Sequence, residues 1–176
     1  MKRFVVFVGI FVFLSMSLFA QVRLDMGIDI PRGAGAVSGN ELLSDPEVNK
    51  VFTDYIFPLP ELGLYYQFGG TTLRAGAGLR LFTLIVVSIY WPNAFIEADL
   101  GPITVAAQVG GGLFGLYALG QSRFESGKVL IPDLSLWYRF GNSFRLGGGA
   151  IGILLPESSS MGFFYYLGGK FNIIFK

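Results

Sequence analysis

The chain has 176 residues, of which 52% are apolar and 25 are glycine, and its net charge is +1. That length suits a single domain, and so even a charge balance gives no electrostatic case for nucleic acid or for polybasic attachment to a membrane surface. Histidine and cysteine are both absent, which excludes a Ser–His–Asp constellation and a His- or Cys-ligated metal site.

Met1-Lys2-Arg3 precedes an apolar run from Phe4 to Leu14, and a small residue follows at Ala20. A basic start, an apolar middle and a small residue make residues 1–20 a secretory signal peptide, with an uncleaved helix from Phe4 to Ala20 as the alternative. Two of the 13 basic residues and none of the 12 acidic ones lie there, so residues 21–176 carry a net charge of −1. These residues form the second predicted unit. No apolar stretch in it is long enough for a spanning helix; the longest, Leu81 to Trp91, has 11 residues.

Gln21 to Pro31 alternates strictly. Val22, Leu24, Met26, Ile28 and Ile30 share one parity, while Arg23, Asp25, Gly27 and Asp29 share the other. Successive side chains of a strand point to opposite faces, so this segment has one apolar and one charged face. Arg32 to Asp54 is polar and reads as a long loop, with a short helix around Pro46 to Phe52. The Gly33 to Gly39 stretch lacks the spacing and lysine of a nucleotide loop. A second strand runs to Phe68, with Leu62, Leu64 and Tyr66 on the apolar face and Glu61, Gly63 and Tyr65 opposite. Gly69-Gly70 signals a tight turn.

The third strand sets Leu73, Ala75, Ala77 and Leu79 against Arg74, Gly76, Gly78, Arg80 and Phe82. Its alternation fails after Phe82, predicting a longer connection. The fourth sets Ala94, Ile96 and Ala98 against Phe95, Glu97 and Asp99. Gly101-Pro102 turns the chain into the fifth, with Ile103, Val105 and Val109 on the apolar face. A polar loop is predicted from Ala118 to Lys128. The sixth strand carries Asp133, Ser135, Trp137 and Arg139 on its polar face, Gly141-Asn142-Ser143 turns, and the seventh carries Arg145. After a loop around residues 156–160, the eighth places Tyr166, Gly168, Lys170 and Asn172 on the polar face, and ends in Phe175.

Lipid admits only helices or closed barrels. The prediction is therefore all-β: an eight-stranded antiparallel up-and-down transmembrane β-barrel, apolar outside and polar inside, with short turns on one side and long loops on the other. Both termini then lie on the short-turn, periplasmic side. A soluble barrel of the lipocalin type would show the same alternation with its faces reversed. The aromatic residues favour the membrane version: Tyr66, Phe68, Tyr138, Phe140, Phe144 and Phe175 cluster near the tight turns, and Tyr55, Phe57, Tyr90, Trp91 and Tyr165 near the opposite rim.

This pattern of strands and turns resembles the small eight-stranded bacterial outer-membrane barrels: the OmpA transmembrane domain, OmpX and OmpW. The resemblance is topological and covers residues 21–176. It implies residence in the outer membrane as a monomer, contact with outer-membrane lipid, and recognition of the last strand, ending at Phe175, by the barrel-assembly machinery.

Twelve charges share the inward parity: Arg23, Arg74, Arg80, Arg139, Arg145 and Lys170 against Asp25, Asp29, Glu61, Glu97, Asp99 and Asp133. Six against six predicts a neutral lumen, filled by salt bridges or left as a narrow pore. Turn counting puts Arg74 near Asp99, and closure of the barrel brings Lys170 towards Asp25 or Asp29. Arg139 and Arg145 fall opposite each other across a hairpin, which requires acids from elsewhere, a shifted register or a bound anion. Glu97 and Asp99 are the carboxylate pair available for acid/base work, and salt bridging is the favoured reading of them. Inward glycines, Gly76, Gly78, Gly110 and Gly112 among them, make room for arginines or leave a cavity. If the third strand continues above the membrane, Phe82, Leu84, Val86 and Tyr90 line an apolar mouth; otherwise this segment packs under the first loop.

The sequence therefore predicts a barrel that is no enzyme, takes no cofactor, and has a structural or surface-interaction role. The alternative is a narrow channel or carrier for small hydrophobic or ionic solutes, as resemblance to OmpW implies. Ligand binding by the Arg32–Asp54 loop is a third possibility.

Overall fold

A computed structural model describes residues 21–39, 41–84, 86–155 and 160–175. The signal-peptide reading of residues 1–20 lies outside them, as does most of the last loop. The elements are β1 (Gln21–Ser38), β2 (Glu41–Leu43), α1 (Pro46–Asp54), β3 (Leu59–Gly69), β4 (Leu73–Thr83), β5 (Val87–Leu100), β6 (Ile103–Ala118), β7 (Gln121–Phe140), β8 (Phe144–Leu155) and β9 (Ser160–Phe175). Every pairing is antiparallel, and β1 bonds to both β3 and β9. Eight strands thus close a ring, while β2 adds only to the far end of β1.

The strands are two-faced as the alternation requires. Leu64, Tyr66, Leu134, Leu136, Leu167 and Phe171 are half or more exposed on the outer surface, whereas Arg23, Arg80, Glu97 and Asp133 are buried inside. A soluble barrel would have the reverse arrangement. The apolar exterior is the face that meets lipid, so the barrel is a membrane-spanning one, built like the small outer-membrane barrels. Tight turns join β3 to β4, β5 to β6 and β7 to β8 on one side, as the sequence predicts.

Three predicted connections differ. β1 does not stop at Pro31 but continues to Ser38, with its register against β9 shifting between Pro31 and Gly33. Proline lacks a backbone donor, and a bulge absorbs it without ending the ladder. The connection after Thr83 is short, because β5 begins at Val87 and the Leu84 N–H bonds to the Val87 carbonyl at 2.8 Å. The predicted loop from Ala118 to Lys128 is mostly strand. Leu119 and Gly120, at φ 49° and 87°, form a two-residue hairpin turn, and the polar residues after it extend β7 beyond the apolar belt.

Candidate functional site: the charged lumen and its apolar mouth

The site is the barrel interior. Ten of the twelve inward charges are at most 8% exposed; Arg74 and Arg139, nearest the tight turns, have side chains 11% and 30% exposed. They divide into two tiers.

The lower tier centres on Glu97. Its carboxylate accepts from Arg23 at 2.7 and 2.9 Å, from Arg145 at 3.1 Å and from Arg74 at 3.4 Å. Arg23 also donates two bonds to Asp25, at 2.6 and 2.7 Å, and one to Gln67 at 3.1 Å. Asp99 accepts from Arg74 and Arg139, each at 2.7 Å, and from the Thr104 hydroxyl at 2.6 Å. Asn172 on β9 donates to Asp25 at 2.5 Å. A buried carboxylate is tolerated only when paired and fully hydrogen-bonded, and these donors come from strands on opposite sides of the ring.

The upper tier has one guanidinium for three acids. Arg80 donates to Asp133 at 2.7 Å and to Glu61 at 3.0 Å, and lies 3.9 Å from Asp29. The Tyr166 hydroxyl donates to Asp133 at 3.1 Å. By strand position Tyr65, Phe95 and Trp137 occupy the space between the tiers, with Tyr65 and Phe95 edge to face at 5.1 Å. Arg23 stacks on Phe95 at 4.6 Å.

The structure brings Arg74 and Asp99 together as turn counting predicts. Arg139 and Arg145 do lie opposite each other, with no shift of register: each turns to a different β5 carboxylate, Asp99 for Arg139 and Glu97 for Arg145. Lys170 does not pair with Asp25 or Asp29. It faces Gly27 across the closing seam and sits 4.1 Å over the Trp137 ring, making no ion pair within 4.0 Å among the described residues. A compact ammonium on an aromatic face gains an electrostatic partner in the ring itself. Some inward glycines make room for rings, and others, Gly78 and Gly147 among them, lie against the backbone of the neighbouring strand. A Cβ on Gly76 would meet Phe95 at 2.6 Å, and one on Gly110 would meet the Trp91 indole. Gly112, at φ 79°, belongs to a bulge in β6.

Above the upper tier the polar groups end. A cavity of about 270 Å³ opens there, walled by Leu59, Phe82, Leu84, Ile131, Ile151 and Phe164, with Trp91 among its lining. Phe82 and Leu84 are thus in the predicted mouth. Val86 and Tyr90 are not: Val86 sits in the β4–β5 turn, 54% exposed, and Tyr90 is on the outer parity of β5, against Phe124. β5 alternates from Trp91 inward through Asp99, which leaves Tyr90 on the lipid side with Ala94 and Ile96. Sequence reasoning missed Ile131, Phe164 and Val87 in this wall. The signal was present as apolar residues of inward parity beyond the last inward charge of each strand.

No family model matches the chain, and no curated protein matches it in sequence. Among solved structures it is similar to Ail, the attachment invasion locus protein of Yersinia pestis, in a complex with the heparin analogue sucrose octasulfate (12% identity over 88% of this chain and 99% of that one, TM-score 0.46). It is also similar to Neisserial surface protein A (10% identity, 85% and 96% covered, TM-score 0.46). A third is the N-terminal β-barrel domain of Pseudomonas aeruginosa OprF (11% identity, 88% and 99% covered, TM-score 0.43). At these values the likeness is one of general shape, and the reading of this barrel rests on its own register and side-chain placement.

Proposed function

We propose that the chain is a non-enzymatic integral protein of the bacterial outer membrane, with both termini periplasmic, whose role is structural or in contact at the cell surface. The supporting observation is the closed lumen: the Glu97 and Arg80 tiers join side chains from β1, β3, β4, β5, β7, β8 and β9 across the interior. An eight-stranded barrel is only wide enough for its side chains, and paired charges here take the place of a water path. The barrel works as a monomer in this reading, surrounded by outer-membrane lipid, and the assembly machinery engages the strand ending at Phe175. Purified protein in planar bilayers is expected to give no conductance steps at neutral pH. Steady single-channel steps from the unaltered protein would sink the plugged-lumen reading.

The cavity favours a second reading, in which a small apolar molecule binds at the mouth without crossing. Its wall is apolar, and its volume fits a single aromatic or short alkyl compound. Titration with bromobenzene is then expected to quench Trp91 emission saturably, and Ile131→Phe, which fills part of the cavity, to weaken the response. Linear quenching, unchanged in the variant, would mean simple partition into lipid.

A further inference from the structure

The segment from β2 through α1 to Phe57 exposes more apolar surface than a water-facing loop would. Val48, Val51, Tyr55, Ile56 and Phe57 are 44 to 65% exposed, and α1 has no buried residue. On a helical wheel Val48, Val51, Phe52 and Tyr55 fall within one stripe about 100° wide, while Glu47, Lys50 and Asp54 lie on the other side.

The position of the helix gives this stripe a partner. Past the bulge at Pro31, Gly33 pairs with Tyr165, an outward residue, and paired residues of a ladder share a face. A Cβ on Gly33 would meet both Tyr165 and the Asn49 side chain. Asn49 further accepts the Ala34 N–H at 2.8 Å, and Asp45 caps the helix by accepting the Glu47 N–H at 2.8 Å. The helix is therefore pinned to the outer wall of the barrel, not folded over its mouth. At ~3.3 Å per residue and a tilt of ~40°, the strand from Gln21 to Gly33 climbs ~30 Å, just past an apolar band of ~25 Å. The stripe is thus continuous with the lipid-facing belt at its upper edge.

We propose that α1 is an interfacial helix lying on the outer leaflet, with Val48, Val51 and Phe52 in the apolar layer and Lys50 and Asp54 in the headgroup region. The absence of cysteine allows a direct test in full-length mature protein. Val51→Cys and Lys50→Cys are each labelled with an environment-sensitive dye and reconstituted in phosphatidylcholine vesicles, and the heat-modifiable gel shift verifies the fold of each. Lipid-borne nitroxide is expected to quench the dye at position 51 at least threefold more than at position 50, with aqueous iodide giving the opposite order. Equal iodide quenching at both positions would overturn the proposal, placing the helix in water. Protection of position 51 from both quenchers would overturn it as well, since a protein, a second copy included, would then cover the stripe. If Val51→Cys fails the gel-shift check, Val48→Cys on the same stripe serves with the same expectations.

Discussion

Replacing Arg80 by methionine is expected to lower the unfolding free energy of the barrel by about 3–5 kcal/mol, the range for removing one partner of a desolvated ion pair. The upper tier holds Asp29, Glu61 and Asp133 around this one guanidinium, and Arg80 is 1% exposed. Methionine keeps the apolar stem but removes the guanidinium, and with it the charge and the bonds to Asp133 and Glu61. Asp133 would then keep the Tyr166 hydroxyl as a donor, while Asp29 and Glu61 would lose the guanidinium beside them. Urea unfolding in vesicles, followed by the heat-modifiable shift, measures the effect. Arg80→Met combined with Asp133→Asn is expected to recover part of the loss, because it removes one of the stranded charges. A loss under about 1 kcal/mol would mean that the tier is hydrated and each pair is worth no more than a surface salt bridge.

Glu97→Gln acts on the other tier and has two readouts. The amide keeps the shape of the side chain but removes the charge that Arg23, Arg74 and Arg145 share. Arg23 retains Asp25 and Arg74 retains Asp99, whereas Arg145 has no second ion pair among the described residues. A loss of about 3–5 kcal/mol is again expected. The lower tier then holds Arg23, Arg74, Arg139 and Arg145, with Lys170 opposite Arg145, against Asp25 and Asp99. Repulsion among these cations loosens the plug, so any conductance that appears in planar bilayers should prefer anions. Cation-selective steps would contradict this charge assignment. A rescue by Arg145→Met would identify Arg145 as the stranded cation.

The sequence made the ring of eight strands legible because parity survives translation into structure. Val22 to Ile30 commits one face to lipid, and Gly69, Gly101 and Gly141 mark the turns on one side. What it hid were features decided between strands. Pro31 and Gly33 read locally as a strand end, yet β9 runs alongside and supplies the ladder that local propensity does not. Gln121 to Lys128 reads as a loop because a strand above the membrane needs no apolar face. Closure of the barrel points Lys170 to an acid on β1, because those strands meet; the ring it contacts is on β7, whose height beside Lys170 no single strand reveals. The Glu97 hub was visible only as a charge of inward parity. Its three cations come from β1, β4 and β8, and that convergence is a property of barrel width.

This convergence also bears on how the molecule enters a bilayer. A hairpin of β4 and β5 carries Arg74 beside Glu97, but Arg23 arrives only with β1 and Arg145 with β8. Asp25 and Asn172 meet across the seam that closes last, 147 residues apart. Strands threaded into lipid one hairpin at a time would drag unmatched charge into hydrocarbon at each step. Insertion and closure must therefore advance together, and a chain with such distant pairings reaches its final state slowly and as a whole.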